Sequence, residues 1–255
     1  MSAARPALRV IAVLVRRDLA LFFRQRSRLV GALAQPLLFW LVIGAGLAPS
    51  FRVPGVDDGP GYLEFFFPGV VLMVVLFASI FATMSVITDR REGFLQGVLA
   101  APGPRGALAV GKCGGGALVA LVQGALFLAL MPLAGFSPAE VNWVALALAL
   151  VLTSLALTAV GFVLAWWIDS TQGYHAVMSV VLIPLWILSG ALFPVEPTHA
   201  ALRWTARLNP VTYAVNATRE SLNGAGFDAV GGDLLVLVAV ALLALFGAAR
   251  IVRRP

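Results

Sequence analysis

Residues 68–88 read PGVVLMVVLFASIFATMSVIT, a run of 21 residues without a charged side chain. An α-helix rises about 1.5 Å per residue, so about 20 mostly apolar residues span the hydrocarbon core of a bilayer. The run lacks the alternation of apolar and polar residues that the strands of a membrane β-barrel show. This stretch therefore predicts a transmembrane α-helix.

Five more stretches share the length and apolar character of this one. The sequence predicts six spans, at Leu29–Ala48, Pro68–Thr88, Ala107–Met131, Val141–Ile168, His175–Phe193 and Asp233–Ala249. The composition agrees, with 60% hydrophobic and 12% charged residues and a mean hydropathy of +0.95. Soluble domains contain about 45–50% apolar and about 25% charged residues. We therefore expect an all-α membrane protein with six transmembrane helices.

The distribution of basic residues predicts the orientation in the membrane. In the six-span topology, fourteen of the 18 basic residues fall on one side, in the N-terminal segment, the loop between the second and third spans, and the C-terminal tail. The other four share the opposite side with eight of the 12 acidic residues. The positive-inside rule then places both termini in the cytoplasm. The net charge of +6 thus reflects orientation, and we expect no nucleic-acid partner.

Residues 1–28 form the first predicted unit, and residues 29–255 form the six-helix transmembrane domain. Apolar residues recur at helical spacing in the first unit, at Leu8, Ile11, Val15, Leu19 and Phe22. The opposite face carries arginines, at Arg9, Arg16, Arg17, Arg24 and Arg28. This pattern predicts a basic amphipathic helix at the cytoplasmic interface, bound to membrane lipid by apolar burial and by attraction to anionic headgroups.

The interiors of the predicted spans contain no aspartate, glutamate or arginine, the residues that usually mark function inside a membrane. His175 and His199 stand 24 residues apart and on opposite sides of the predicted topology, so we do not expect them to share a metal. Cys113 is the only cysteine, which excludes an intrachain disulfide. We expect no catalytic residue, metal or cofactor in this chain, so that a partner supplies the energy for any uphill transport.

The segment GALAVGK, residues 106–112, matches the G-x-x-x-x-G-K pattern of a phosphate-binding loop. A functional loop continues with Ser or Thr and follows a buried strand, whereas here Cys113 follows and the segment opens a predicted span. We instead expect Lys112 to snorkel at the cytoplasmic end of that span. Gly111 and Gly115 form a G-x-x-x-G pair, which predicts close packing between helices.

A short amphipathic helix is predicted in the loop after the second span, between Thr88 and Pro102. Its apolar face consists of Phe94, Leu95, Val98 and Leu99. Charged residues precede it, and we interpret Asp89 and Glu92 among them as the solvated start of a helix. The apolar face either fits a groove on another protein or packs beneath the bundle, and the pattern leaves both interpretations open.

The stretch between the last two spans, residues 193–232, is too organised for a plain connector. The span before it contains Pro184 and ends in Ser189-Gly190, which indicates a broken or re-entrant helix. Two short helices follow, at Thr198–Leu208 and at Val211–Leu222, the second of them opened by a proline. We interpret this region as a hairpin in the outer leaflet that gates an exit, binds a lipidic ligand or merely caps the bundle.

Several motifs occur in a fixed order along nearly the whole chain. They are Arg91-Glu92-Gly93 through Leu99-Ala-Ala-Pro102, Gly111-Lys112, Pro184 through Pro194, and Leu208-Asn-Pro-Val-Thr-Tyr213 followed by Arg219. In these motifs and their spacing, the sequence resembles the permease subunits of type-2 ATP-binding-cassette exporters, which include drug-resistance, nodulation-factor and polysaccharide exporters. It departs from that family at Glu196-Pro197, where a longer acidic and proline-containing stretch is common, and it lacks a large extracytoplasmic insertion.

The resemblance assigns roles to two groups of residues. The coupling helix, which would dock on a cytosolic ATPase, would contain Arg91, Glu92, Gly93, Leu95, Leu99 and Pro102. The extracytoplasmic re-entrant gate would contain Pro184, Ser189, Gly190, Phe193, Pro194, Asn209, Pro210 and Tyr213. The partners implied are the ATPase, which binds ATP and magnesium, and a second copy of the permease.

We therefore expect a multi-pass permease of a bacterial plasma (inner) membrane that exports an amphipathic, lipid-linked or glycan-type substrate. The first alternative is a self-contained carrier or channel, which would transport without ATP or a partner. The second is a membrane enzyme, which would need a cluster of acids or histidines at one membrane face. Asp89 and Glu92 are the nearest such pair, and they lie beside two arginines.

Overall fold

The structure is a computed structural model that describes residues 4–24, 26–47, 61–100, 105–195 and 199–252, with the backbone alone at residues 4–6, 26–29, 32, 99 and 100. Every regular element within these ranges is helical. The helices are α1 (Ala4–Arg24), α2 (Arg26–Leu47), α3 (Tyr62–Ala82), α4 (Met84–Arg91), α5 (Phe94–Ala100), α6 (Gly106–Leu128), α7 (Trp143–Trp167), α8 (Thr171–Trp186), α9 (Ala200–Leu208), α10 (Pro210–Leu222) and α11 (Phe227–Ile251). A 3₁₀ turn at Met131–Ala134 precedes α7, and a π-turn at Ile187–Ala191 extends α8.

Five helical stretches of the described chain are long and apolar enough to cross a membrane. They are Tyr62–Arg91, Gly106–Leu128, Trp143–Trp167, Thr171–Ala191 and Phe227–Ile251. The remaining predicted span, Leu29–Ala48, coincides with α2, whose apolar stretch Leu33–Leu47 is shorter than these five. The all-α membrane class is confirmed, and the number of six spans stays a prediction.

The second predicted span is longer than its sequence pattern indicated, because α3 begins at Tyr62 and not at Pro68. A proline inside a helix removes one backbone hydrogen bond. The turn before Pro68 nevertheless carries Phe66 and Phe67, both fully buried. Burying an aromatic side chain stabilises the fold by about 1.5–3 kcal/mol, which favours the helical extension over an exposed aromatic loop.

The core of the bundle is built around α3, which is buried on every side. Val70, Val71 and Leu72 follow one another in sequence and are all fully buried, so the helix is enclosed on every side at this level. The opposite case is α11, where Leu242 and Leu243 are mostly exposed. An apolar surface of this kind suits contact with lipid tails.

Small residues allow α6 to approach its neighbours closely. A Cβ added at Gly116 would lie 2.7 Å from Cγ2 of Thr158 on α7, and one added at Gly124 would lie 2.8 Å from Cγ2 of Val75 on α3. These separations are shorter than real Cβ contacts, so only glycine fits. Close backbone approach of this type is how membrane helices gain packing contacts without a hydrophobic driving force.

The path from α3 into α4 is interrupted at Thr83, a buried residue. The Thr83 hydroxyl donates to the carbonyl of Ile80 at 2.6 Å and lies 2.6 Å from the hydroxyl of Tyr174 on α8. Tyr174 is fully buried and also lies 3.3 Å from the Gly161 carbonyl on α7. The interruption is therefore held by the Tyr174 side chain of α8, which is itself bonded to the α7 backbone, and this fixes the direction in which α4 leaves the core.

Candidate functional site

The predicted coupling region begins with a turn between α4 and α5. Arg91 ends α4, Glu92 caps it, and both side chains are exposed. Gly93 has a φ of +77°, a conformation that costs a side-chain-bearing residue free energy but suits glycine. Gly93 thus allows the tight turn that places an arginine and a glutamate next to each other on the surface.

The short helix α5 packs against its own chain. Leu95 is 1% exposed, and Phe94 and Val98 are partly buried against the core, whereas Gln96 and Gly97 are exposed. For Phe94, Leu95 and Val98, the structure agrees with the interpretation that the apolar face packs beneath the bundle. The Leu99 side chain and Pro102 lie outside the described residues.

Four charged side chains meet beside this turn and form what we call the ion cluster: Arg17, Asp18, Asp89 and Lys112. Lys112 Nζ lies 2.9 Å from Asp18 Oδ1 and also pairs with Asp89. Arg17 donates both terminal nitrogens to the Asp89 carboxylate, at 3.0 and 2.7 Å. Two cations and two anions balance, so the cluster is neutral while it ties α1, α4 and α6 together. Such bidentate, charge-assisted contacts are the strong class of hydrogen bond.

Burial and pairing shift the pKa values of the α1 members of the ion cluster. Burial raises the pKa of the Asp18 carboxyl, although Lys112 beside it acts in the opposite direction. The hydrogen bond to Asp89 raises the pKa of the Arg17 guanidinium. Arg17 also stacks on the Phe94 ring of α5, with 4.0 Å between its Cζ and the ring centroid. Arg17 therefore links α1, α4 and α5.

Two predictions about these charges are wrong. Lys112 does not snorkel, because its side chain is 1% exposed and is held by Asp18 and Asp89. Asp89 is not part of a solvated helix start, because it is 3% exposed, and only Glu92 of that pair lies at the surface. The sequence did carry a signal: Asp18 is the single acid before Asp57, and Lys112 is the single lysine of the chain.

The packing of α1 on α6 explains why the cluster can form. Added Cβ atoms at Gly111 and Gly115 would lie 2.9 Å from side-chain atoms of Leu14 and Asp18, respectively. The predicted close packing at these two glycines is confirmed. The predicted apolar face of α1 is only partly correct, since Leu8 is 65% exposed while Leu14, outside that face, is 2% exposed. Gly111 and Gly115 of α6 therefore determine which residues of α1 are buried.

At the other end of the bundle, α8 breaks where the sequence indicated. The helix widens into a π-turn, and Gly190 takes a φ of +82°. The buried Ser189 hydroxyl donates to the Trp186 carbonyl at 2.6 Å. The Arg219 guanidinium on α10 donates to the Gly190 carbonyl at 2.9 Å. A broken helix leaves backbone groups without helical partners, and these side chains satisfy several of them.

The hairpin α9–α10 is held against α8 by Asn209, which is 4% exposed. Its amide donates to the Leu185 carbonyl at 2.6 Å, and its carbonyl oxygen caps α10 by accepting from the Val211 N–H at 3.0 Å. Tyr213 donates to the Arg207 carbonyl at 2.7 Å and so closes the hairpin. Of the other predicted gate residues, Pro184 is exposed and Phe193, Pro194 and Pro210 are partly buried.

Sequence reasoning missed the residues that lock the broken helix to α3. Trp186 Nε1 donates to the Gly69 carbonyl at 2.7 Å, and the Tyr62 hydroxyl donates to the Leu192 carbonyl at 3.1 Å. Gly69 is in contact with Ala191, where an added Cβ would lie 2.7 Å from the alanine Cβ. These contacts join residues more than one hundred positions apart, so no local pattern reveals them.

Within the described ranges, neither histidine lies in a group suited to hold a metal. His175 is exposed and stacks on Phe81, and His199 is exposed and accepts a hydrogen bond from the Ala201 N–H. Among the described residues, no three His, Cys, Asp or Glu side chains gather as a metal site. The segment from Gly106 to Lys112 forms the first turns of α6, so it is not a phosphate-binding loop.

Comparison with known proteins identifies the family of this chain. The family described as ABC-2 type transporter matches residues 9–223. Nodulation protein J of Rhizobium meliloti (strain 1021) is 26% identical over 233 residues, which cover 89% of this chain and 86% of the relative. The putative transport permease ycf38 of Cyanophora paradoxa is 26% identical over 81% of this chain and 72% of its own length. The inner membrane transport permease YadH of Escherichia coli (strain K12) is 27% identical over 67% and 66%. Because the family match covers most of the sequence, this chain belongs to the ABC-2 type transporter permease family.

Proposed function

We propose that this chain is the membrane subunit of an ATP-driven exporter, in which two copies of it work with two cytosolic ATPase subunits. Both termini lie in the cytoplasm, and the α4–α5 turn contacts the ATPase. The substrate is an amphipathic, lipid-linked or glycan-type molecule. The names of two relatives, both transport permeases, support the transport role.

The observation that carries this proposal is the connection between a surface and the bundle. Arg91 and Glu92 are exposed at the turn, while Asp89, only three residues before Glu92, is locked to α1 and α6 through the ion cluster. A partner that pushes on the turn therefore moves three helices together. A binding partner shifts the equilibrium between two conformations of the permease only if it makes different contacts in each of them. ATP binding therefore acts by changing how the ATPase docks on this turn.

The test is co-purification of the chain with a candidate ATPase, in lipid nanodiscs. Charge reversal at the exposed Glu92 (Glu92→Lys) is expected to weaken ATPase association roughly tenfold, because interface charges set orientation and encounter. The matched control is Asp228→Lys, which reverses an exposed acid at the start of α11. Equal ATPase retention by the wild type and both variants would contradict the docking surface.

A transport assay separates this proposal from a self-contained carrier or channel. Liposomes that contain the chain alone are expected to show no substrate efflux, and efflux is expected only when the ATPase and ATP are added. Transport by the chain alone would favour the carrier or channel instead.

A further inference from the structure

A cavity of about 500 Å³ lies between α2, α3, α6 and α8. This volume lies within the range of about 300–1,000 Å³ that is usual for small-molecule sites. One wall is apolar and consists of Met73, Val74 and Phe77 on α3. The facing elements contribute two amides, from Gln35 on α2 and Gln123 on α6. The cavity therefore combines an apolar wall with a small number of hydrogen-bonding groups.

Gln123 is the most informative residue of this cavity. It is 5% exposed as a residue, and its amide, which makes no hydrogen bond within the described ranges, stays open to the cavity. An amide that loses water without gaining a hydrogen-bond partner costs free energy. Gln123 lies about one and a half turns before the end of α6 and is the residue of that helix that lines the cavity. A ligand that bonds this amide recovers that free energy.

The charge of the cavity restricts what it can bind. Its described lining contains no Asp, Glu, Lys or Arg, and its single titratable group is His175. His175 stacks on Phe81 with 5.1 Å between ring centroids, and both rings also line a second cavity of about 660 Å³ that contains Arg17, Asp18 and Asp89. That second cavity also contains the acidic Glu92, and the one arginine of its described lining, Arg17, is already paired with Asp89. An anionic group would thus enter the first cavity without a counter-ion, which is strongly unfavourable.

We infer that this cavity binds an uncharged amphipathic molecule, whose apolar body lies on α3 and whose hydroxyl or amide groups bond to Gln123 and Gln35. As the substrate site of the exporter, this inference rests on the proposed function and narrows its substrate class. Neutral sugar headgroups satisfy the chemistry, since each hydroxyl both donates to an amide oxygen and accepts from an amide N–H. Phosphate and carboxylate headgroups do not.

Photo-crosslinking tests the inference with two probes that share a diazirine-bearing alkyl chain and differ in headgroup, one a glucoside and the other a sulfate. The full-length chain is used in phosphatidylcholine nanodiscs, without ATPase or ATP. The glucoside is expected to label the Met73–Phe77 stretch saturably, and the sulfate is expected to show no saturable labelling there. Equal saturable labelling by both headgroups would overturn the inference.

Substitutions then assign the recognition to the amides. Gln123→Leu is expected to weaken saturable glucoside labelling roughly tenfold, equivalent to about 1.4 kcal/mol. Gln35→Leu is expected to act in the same direction, while Gln172→Leu, an exposed glutamine of α8 outside the cavity, leaves labelling unchanged. Because the Gln123 amide has no hydrogen-bond partner among the described residues, Gln123→Leu is not expected to destabilise the fold, and the thermal midpoint measures this. Unchanged labelling in Gln123→Leu would contradict the assignment.

The outcome is independent of the test of the proposed function. Loss of ATPase association with intact glucoside selectivity would contradict the exporter assembly and leave the cavity as a binding site. ATP-dependent transport without headgroup selectivity would contradict the cavity assignment alone.

Discussion

The two ends of the bundle both bury polar groups, but they do so in different ways. The ion cluster pairs whole charges, Arg17 and Lys112 with Asp18 and Asp89, on three separate helices. The hairpin end instead directs side-chain donors, such as those of Trp186 and Asn209, at backbone carbonyls. Removing one partner leaves an uncompensated charge at the first end and a single unpaired carbonyl at the second. We therefore expect a substitution to cost more stability at the ion cluster than at the hairpin end, where the structure can adjust locally.

The largest effect is expected from Lys112→Met, which keeps side-chain volume but leaves the buried Asp89 and the mostly buried Asp18 with one arginine. The apparent free energy of unfolding, measured in mixed micelles, is expected to fall by about 3–5 kcal/mol. The double variant Lys112→Met/Asp18→Asn restores charge balance and is expected to recover part of the loss. A double variant no more stable than the single one would show that charge balance is not what stabilises this end.

A smaller effect is expected from Gly69→Ala at the hairpin end, where the new Cβ would lie 2.7 Å from the Ala191 Cβ. Overpacking of this kind costs about 1–3 kcal/mol, which unfolding in mixed micelles measures. The control is Gly231→Ala on α11, where no atom lies within 4 Å of the added Cβ. That variant is expected to be neutral or more stable by up to about 1 kcal/mol. Equal stability of both variants would contradict the close contact.

Asn209→Ala tests the uncharged hydrogen bonds of the hairpin end, because it removes both the cap of α10 and the bond to the Leu185 carbonyl. We expect a loss of about 1–2 kcal/mol, less than for Lys112→Met because no charge is left unpaired. The matched control is Asn223→Ala, an exposed asparagine at the other end of α10, with an expected loss below about 0.5 kcal/mol. A loss at Asn209 as large as that at Lys112 would remove the distinction between the two ends.

The smallest effect is expected from Asp169→Asn, which breaks an ion pair outside the ion cluster. Arg90 and Asp169 are 2.7 Å apart, but the Asp169 side chain is 89% exposed. Arg90 keeps its bond to the Trp166 carbonyl at 2.6 Å, so we expect a change of at most about 0.5 kcal/mol. Denaturation at low and high salt checks this, because salt screens the exposed pair. A loss above about 2 kcal/mol would show that solvent exposure does not limit how much this ion pair contributes to stability.

The apolar pattern predicted the positions of the helices, because each segment carries its own signal for burial in lipid. Pro184 and Gly190 likewise predicted the break in α8, since the restricted backbone of proline and the free backbone of glycine act locally. The sequence could not reveal which side chains meet across helices. Lys112 shows the reason: at the end of an apolar run, an exposed lysine and a buried, paired lysine produce the same local pattern. Trp186 and Gly69 show it too, because their bond depends on how two distant helices pack.

The distance along the chain between the members of the ion cluster has a consequence for biosynthesis. Asp18 and Lys112 are separated by 94 residues, so the carboxylate leaves the ribosome long before its ammonium partner exists. At about 5–20 residues per second, the delay is roughly 5–20 s. Throughout that interval α1 remains an open amphipathic helix, and it can dock only after α6 has been inserted. Docking of α1 therefore cannot begin before α6, near the middle of the chain, has been inserted.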